Sequence, residues 1–289
     1  MKRYCFTLVA VAAITLSGVA QNPYFTSKEL ADGTNFLPPP PDSTSVQFAN
    51  DMNCYFLGKS LRDTERGQQA LNHANGVYTY ICSIFSPVFG LTITPTATPA
   101  IYTMLSNSLK TCSNACSTTK THYRRRRPFQ TFNEPVATGE SLTATSFPSS
   151  HSAKGWMVAL LLSELNPAAQ EALLKLGYEY GQSRVIVGAH WQSDVDAARM
   201  IGSATYARLR TSPRFVEEMA AAQAEYARLT SAAAPQAAPA TTTAINDVPA
   251  DTDDDDIDND QWYTITGQPA TPATQGIVVT RNRKSVRKN

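Results

Sequence analysis

The chain has 289 residues, of which 42% are hydrophobic, so it is long enough to bury a sizeable core. Lys and Arg total 25 against 24 Asp and Glu. This near balance excludes an overall electrostatic attraction to nucleic acid or to an anionic membrane surface. Any binding that depends on charge must therefore come from local clusters.

The first 20 residues have the pattern of a secretory signal. Lys2 and Arg3 precede an apolar run over residues 6–19 that ends in small residues, which is the order found in such signals. The run is shorter than the ~20 residues that span a bilayer, so we expect cleavage after Ala20 rather than a membrane anchor. This pattern predicts an exported, periplasmic protein with no stable membrane insertion, in which residues 21–36 form an N-terminal extension.

Cleavage would remove Cys5 and leave four cysteines. An even number in an oxidising compartment predicts disulfides, and the sequence does not choose between the possible pairings. A metal site is the less favoured alternative, because no CxxC pair with nearby histidines completes a tetrahedral ligand set. The disulfide candidates are Cys54, Cys82, Cys112 and Cys116.

Residues 37–230 are predicted to form one all-α domain, a helical bundle. Between residues 43 and 74 the apolar positions recur at mostly helical spacing, which predicts helices interrupted at Gly58 and Gly67. His73 follows this stretch, and we expect it on the surface. Further helices are predicted over residues 101–120, 149–165, 167–180, 189–210 and 213–229, with a surface loop at 133–146.

The chain beyond this domain has a different composition. Residues 231–260 are rich in Ala, Pro and Thr and then acidic, which predicts a linker without a core of its own. The tail, residues 261–289, contains two candidate strands at 262–265 and 277–280 and resembles the small C-terminal sorting tails of proteins exported through the type IX system. A sorting tail would place the protein at the cell surface or outside the cell; a disordered basic tail is the alternative.

The first segment that carries chemistry is basic and runs from Lys120 to Pro128. If it is helical, seven residues return almost to the same face, so Lys120 and Arg127 align about 10 Å apart and can hold one anion between them. Pro128 disfavours helical geometry at Arg127, which places that side chain at a helix end. The alternative is a basic surface run, and the intervening residues 124–126 are expected to support the site or to face solvent.

The second segment is Pro148 to His151, just before an apolar helix. Pro148 and Ser149 suit a helix start, where free amide groups and the helix dipole bind phosphate. The hydroxyls of Ser149 and Ser150 can add donors. Ordinary helix capping is the alternative interpretation.

The third segment contains His190 and Asp194, four residues apart. On a helix this spacing stacks them on one face, where the carboxylate can accept the Nδ1 proton and leave Nε2 as a nucleophile. Arg184 would lie about 120° away on the same helix, so we expect it to approach from a preceding turn, with a break at Gly188. A helix-surface pair is the alternative for His190 and Asp194.

Together these segments resemble the signature of the type 2 phosphatidic acid phosphatase and vanadium haloperoxidase superfamily: Lys-x6-Arg-Pro, then Pro-Ser-x-His, then Ser-Arg-x5-His-x3-Asp. The resemblance is closest to the class A bacterial non-specific acid phosphatases and extends over residues 37–229. It implies an all-helical fold, a periplasmic location, homo-oligomers, and hydrolysis of small organic phosphate monoesters at acid pH without metal or other cofactor. It also implies inhibition by vanadate.

The resemblance also implies a role for each site residue. His190 would be the nucleophile, His151 the general acid and base, and Asp194 the residue that orients His190. The phosphate would be bound by Lys120, Arg127, Ser149, Ser150 and Arg184. One departure is Ser150, where the family usually has glycine, which puts the rate and substrate range in question.

Three other functions stay open at this point. A phosphatase for lipid phosphates or pyrophosphates would use the same residues, and a vanadate-dependent haloperoxidase would use the same anion site for vanadate. A non-catalytic exported protein that merely binds an anion is the third.

Overall fold

The computed structural model describes residues 21–135, 140–141 and 143–233, together with the backbone of three short strands near the C-terminus. The predicted signal at residues 1–20 and the linker from residue 234 onward lie outside the described residues. The chain divides into two compact units, residues 1–235 and 236–289, each of which makes most of its contacts within itself.

The described part of the first unit is helical, as the sequence predicted. Its α-helices are α1 (Gly33–Phe36), α2 (Val46–Ser60), α3 (Glu65–His73), α4 (Tyr78–Phe89), α5 (Pro99–Tyr123), α6 (Pro128–Phe132), α7 (Ser150–Leu165), α8 (Gln170–Ile186), α9 (Gln192–Leu209) and α10 (Pro213–Ala233). Two single 3₁₀ turns, Ser27–Glu29 and Pro167–Ala169, complete the described helical segments.

The first predicted helix breaks are wrong in position. Gly58 lies inside α2 and Gly67 inside α3, whereas the break falls at residues 61–64. Thr64 caps α3 by accepting a hydrogen bond from the Gly67 amide at 3.4 Å. A side chain with a good capping geometry therefore sets the boundary, and glycine does not.

Helix α7 lies in the centre of the domain, against α5, α8 and α9. Apolar side chains on several of its faces are buried, among them Met157, Val158 and Ala159, as expected for a helix enclosed by others. A Cβ at Gly155 would lie 2.2 Å from the ring of Tyr180. Glycine there lets α8 pack closely and brings Tyr180 to the first turn of α7.

The expected disulfides are not formed: all four cysteines are free thiols. Cys112 and Cys116 are buried one turn apart on α5. Side chains four apart on a helix have Cβ atoms roughly 5–6 Å apart, beyond the ~3.5–4.5 Å that a disulfide needs. Cys54 on α2 and Cys82 on α4 are likewise unpaired.

The second unit contains a small antiparallel sheet. Strand β1 (Trp262–Thr264) pairs with β2 (Pro269–Ala270) on one side and with β3 (Val278–Thr280) on the other. Strands β1 and β3 fall within the two stretches predicted from the sequence, and β2 was not predicted because two residues give no periodic signal.

A search of the described helices finds none with the length and apolar character needed to cross a membrane.

Candidate active site

Three separate segments meet at the N-terminus of α7. The Ser149 amide donates to the Asp194 carbonyl at 3.1 Å, and the Ser146 amide donates to the Arg125 carbonyl at 2.8 Å. Arg127 Nη1 donates to the Ala189 carbonyl at 3.2 Å. These long-range hydrogen bonds bring the three sequence motifs into one buried site.

His190 is held through its Nδ1 edge. Nδ1 lies 3.4 Å from Asp194 Oδ2 and 3.4 Å from Ser146 Oγ. The Ser146 hydroxyl in turn donates to Asp194 Oδ2 at 2.5 Å. Because these oxygens face Nδ1, Nε2 on the other edge of the ring is left for chemistry.

The predicted helical pairing of His190 with Asp194 is wrong in its local geometry. Helix α9 begins at Gln192, so His190 lies in the turn before it and Asp194 lies in its first turn. Asp194 Oδ2 accepts from the Trp191 amide at 2.8 Å. The turn depends on Gly188, whose φ of 73° is in the left-handed region that favours glycine.

Helix α8 extends to Ile186, beyond the predicted end at residue 180. Arg184 therefore lies in the last turn of this helix and not in a turn between two helices. Its carbonyl accepts from the amides of Ala189 and His190 at 3.0 and 3.2 Å. The turn centred on Gly188 therefore folds back onto α8 and places His190 next to the arginine. The expected break at Gly188 is present.

Arg125 supports the site, although sequence spacing gave it no specific role. Its guanidinium donates to Asp194 Oδ1 and to Asp51 Oδ2, both at 2.7 Å. Asp51 also accepts from the Ser193 amide at 2.8 Å. Both carboxylates are buried, so Arg125 neutralises two charges that would otherwise be costly to bury.

Lys120 and Arg127 approach the site by a different route from the predicted one. Helix α5 ends at Tyr123 and Arg124 adopts φ 46°, so the two side chains do not share a helix face. Instead both bind carbonyls of the same short segment: Lys120 Nζ donates to Thr145 at 2.9 Å, and Arg127 Nε donates to Ala144 at 3.2 Å. Burial, then the neighbouring Arg127, lowers the pKa of Lys120 to about 8.

Arg184 is fully buried, yet only part of its guanidinium is bound. Nη2 pairs with the Glu140 carboxylate, while Nε and Nη1 have no hydrogen-bond partner among the described residues. The second Glu140 oxygen lies 3.0 Å from Arg127 Nη1. One carboxylate thus bridges two predicted phosphate-binding arginines, and two buried donors stay unused beside it.

The serine hydroxyls at the start of α7 are occupied by other contacts. Ser149 Oγ accepts from the Ser152 amide at 3.3 Å and lies 2.8 Å from Ser152 Oγ. The Ser150 side chain hydrogen-bonds the thiol of Cys116. Neither hydroxyl is therefore free in the arrangement that the sequence predicted.

No described residue accepts from the amides of Ser150 and His151, which leaves two donors at the positive end of the helix dipole.

His151 is fixed by a carbonyl and an aromatic ring. Its Nε2 lies 2.7 Å from the His73 carbonyl oxygen, which only accepts, so Nε2 carries a hydrogen. The imidazole stacks on Tyr180, with centroids 4.5 Å apart and planes 3° from parallel. Nδ1 faces Gly76, where a Cβ would lie 3.2 Å away. Nδ1 is therefore the nitrogen at which a proton can come and go.

The surface position expected for His73 is wrong. Its side chain is 4% exposed and its Nδ1 lies 2.9 Å from Ser183 Oγ. Burial, followed by the charge of Arg66, lowers the pKa of His73 to about 4. The residue acts on the site through its carbonyl, an effect that no side-chain pattern can reveal.

Burial and neighbouring cations lower the pKa of both site histidines. Burial, followed by Arg127 and Lys120, holds the pKa of His190 well below its usual range. Burial, followed by Arg184 and Lys154, does the same to the pKa of His151. A dianionic ligand between these cations would oppose the second effect by favouring the charged imidazolium.

Comparison with known proteins agrees with this geometry. Residues 97–215 match the PAP2 superfamily. The chain is 40% identical to a protein named non-specific acid phosphatase from Providencia stuartii over 211 residues, which covers 71% of this chain and 85% of that protein. A protein of the same name from Salmonella typhi is 38% identical over 76% of this chain and 90% of its own length. A protein named acid phosphatase from Zymomonas mobilis is 28% identical over 77% of this chain and 89% of its own length. The chain belongs to the non-specific acid phosphatase family of the PAP2 superfamily.

Proposed function

We propose that this protein is a broad-specificity acid phosphatase that hydrolyses small organic phosphate monoesters through a phosphohistidine at His190. The observation that carries the proposal is Arg184, a fully buried cation at the end of α8 with two donors unpaired among the described residues, whose carbonyl holds the turn that positions His190. Unpaired buried donors are costly. An anionic ligand that accepts from them would recover that cost.

The phosphoryl group would be held by charge and by backbone donors. Lys120, Arg127 and Arg184 surround the site, and the amides of Ser150 and His151 point from the α7 N-terminus. Entry of the substrate would displace the Glu140 carboxylate from the two arginines. The same cations would then neutralise charge that develops on the phosphoryl oxygens in the transition state.

Chemistry would proceed in two steps. In the first, the lone pair of His190 Nε2 forms a P–N bond while the ester P–O bond breaks, and His151 Nδ1 gives its proton to the departing oxygen. In the second, His151 Nδ1 takes a proton from water, whose oxygen attacks phosphorus and breaks the P–N bond. The products are the alcohol and inorganic phosphate.

Asp194 would orient His190 and stabilise the imidazolium formed during the reaction. Its Oδ2 receives hydrogen bonds from Ser146 and Trp191, and Oδ1 is paired with Arg125. The carboxylate is therefore held on several sides. This support favours a fixed tautomer of His190 over a loosely held base.

Replacement of the family's glycine by Ser150 is compatible with this function. The Ser150 side chain interacts with Cys116, and its amide has no acceptor among the described residues. A hydroxyl that turned toward the ligand would crowd it. The orientation toward Cys116 supports retained activity.

We further propose that the protein is exported and forms a homo-oligomer. The signal-like N-terminus and the resemblance to periplasmic enzymes support export, and the strand-forming tail supports a sorting role. Cell fractionation and mass spectrometry of the mature N-terminus would test cleavage after Ala20. A mature protein that begins at Met1 in the cytoplasm would contradict the proposal.

The decisive experiment compares His190→Ala with His122→Ala, since His122 is an exposed histidine outside the site. We expect hydrolysis of p-nitrophenyl phosphate at about pH 5 to be lost in the first variant and kept in the second. Labelled phosphate quenched in alkali should appear on wild-type protein as phosphohistidine. Retention of more than about a tenth of the rate in His190→Ala would exclude His190 as the nucleophile.

A parallel assay separates the other functions. Vanadate should inhibit phosphate release, because its trigonal bipyramidal form resembles the transition state. Vanadate with bromide and peroxide should give no brominated product. Bromination without phosphatase activity would identify a haloperoxidase, and neither activity would identify an anion-binding protein.

A further inference from the structure

A small cavity lies next to Gly76, the residue that His151 Nδ1 faces. The cavity has a volume of about 210 Å³ and is lined by Gly76, Tyr78, Ser113 and Lys154, among others. Gly76 joins it to the site, because the same residue faces His151 Nδ1. A group that receives a proton from Nδ1 would therefore leave towards this cavity.

Lys154 is the charged side chain of this cavity. It lies three residues after His151 on α7, and side chains at this spacing are neighbours on one helix face. Among the described residues the ammonium forms no ion pair and no hydrogen bond; the Glu140 carboxylate acts on it only from beyond ion-pair distance, and the charge of Arg184 opposes that effect. Its neighbours Cys112 and Cys116 are buried thiols, and burial raises the pKa of both, which keeps them neutral.

The phosphate position does not account for this cation. Lys120, Arg127 and Arg184 already face the proposed phosphoryl group, together with the free amides of α7. Lys154 lines the cavity that would take the leaving group, close enough to Arg184 and Glu140 for their charges to act on it. A half-buried ammonium without a counter-ion is unfavourable unless something pairs with it.

We propose that this cavity is the leaving-group subsite and that Lys154 binds a second anionic group, a carboxylate or a phosphate, on the substrate. The proposal rests on the phosphatase function above and deepens it. Cβ atoms three residues apart on a helix are roughly 5–6 Å apart, so the second anion would be several bonds from the ester oxygen. The small volume of about 210 Å³ fits a phosphorylated hydroxy acid or a short bisphosphate.

The test compares two substrates of similar size and leaving-group basicity, phenyl phosphate and 4-carboxyphenyl phosphate. The measured quantity is the ratio of kcat/KM for the carboxylated ester to kcat/KM for phenyl phosphate. It is determined for the wild-type protein, for Lys154→Met and for Lys154→Arg. Lys175→Met is the matched control, because Lys175 is exposed on α8.

We expect the ratio to fall about tenfold in Lys154→Met, because a hydrogen bond between charged groups is lost. It should stay within about twofold of the wild-type value in Lys154→Arg, which keeps the charge, and in Lys175→Met. Added salt should lower the ratio for the wild-type protein and leave it unchanged for Lys154→Met.

An equal ratio in wild type and Lys154→Met would overturn the subsite while leaving the phosphatase intact. A ratio that fell equally in Lys175→Met would also overturn it, since the effect would then come from net charge. If the wild-type protein hydrolysed neither ester, the proposed function itself would fail, and the subsite with it.

Discussion

Ser146 Oγ and Asp194 Oδ2 are 2.5 Å apart, and the same hydroxyl is 3.4 Å from His190 Nδ1. The hydroxyl and the carboxylate oxygen therefore lie side by side, at the same distance from the imidazole that Asp194 is expected to orient. The direct distance from Asp194 Oδ2 to His190 Nδ1 is also 3.4 Å, which is long for a hydrogen bond. The orientation of His190 thus depends on the serine as well as on the aspartate.

Ser146→Ala should lower kcat on p-nitrophenyl phosphate by about tenfold, the effect of losing a hydrogen bond to a charged group. KM should change little, because Ser146 does not face the phosphate. Since Asp194 keeps Arg125 and the Trp191 amide, the fold should survive, which circular dichroism would check. The control is Ser141→Ala, an exposed serine of the same segment. An unchanged kcat would show that Asp194 orients His190 without Ser146.

Glu140 forms ion pairs with Arg127 and Arg184, so in the proposed mechanism it would compete with phosphate for them. Glu140→Gln should therefore tighten inhibition by inorganic phosphate about tenfold and lower KM, because the removed charge no longer neutralises the two arginines. Inhibition constants for phosphate and vanadate, measured beside Ser141→Ala, would test this. Weaker phosphate binding in Glu140→Gln would mean that the carboxylate positions the arginines instead of competing with the ligand.

Arg125 connects two buried carboxylates, so its loss should be severe. Arg125→Met should lower the free energy of unfolding by about 3–5 kcal/mol, since Asp51 and Asp194 would stay buried without their partner. Urea unfolding provides the measurement, and Arg124→Met, at an exposed arginine next in sequence, provides the control. Equal stability of the two variants would show that water or another cation replaces Arg125.

The pH dependence of activity follows from the depressed pKa values of both site histidines. His190 stays neutral, and hence nucleophilic, at pH values well below 6.5. His151 is also neutral in the free protein, so its proton must arrive with the substrate monoanion, which is lost above about pH 6. We expect kcat/KM to fall as pH rises through about 6. An optimum above about pH 7 would contradict this account.

His73 should make stability pH-dependent. Its folded pKa is about 4 against an ordinary value of 6.5, so the unfolded chain binds a proton that the folded protein excludes. Stability is therefore lost as pH falls from about 6.5 towards 4. His151 and His190 act with the same sign, so His73→Gln should reduce this loss without abolishing it. Urea unfolding at several pH values, with His122→Gln as control, would measure it; identical slopes would exclude His73.

Sequence spacing identified the residues that the fold brings together, even where the assumed local geometry was wrong. Lys120 and Arg127 do not share a helix face, and His190 is not helical, yet all three reach the site. Lys120 does so from the end of α5, and Arg127 and His190 do so from the segments just before α6 and α9. Spacing survives because it reflects distance along the chain, and several backbone paths can satisfy the same distance. The helices were predictable for a different reason: α7 and α10 begin at clear capping residues and have apolar side chains at helical spacing.

Residues that act through long-range contacts gave no such signal. Ser146, Arg125 and Asp51 reach Asp194 or its neighbours only after the chain has folded, and a buried carbonyl such as that of His73 has no side-chain signature. The disulfide prediction failed because it relied on counting cysteines. The helical geometry of Cys112 and Cys116 decided the outcome.

The close approach of Tyr180 to Gly155 has an evolutionary consequence. Because His151 stacks on that tyrosine in the first turn of the most enclosed helix, the proton donor is anchored to the hydrophobic interior. A mutation cannot shift it without disturbing the packing of the whole bundle. Side chains that border the cavity, such as Lys154, can change without disturbing this packing, so we expect new substrate preferences to arise there while the core holds His151 in place.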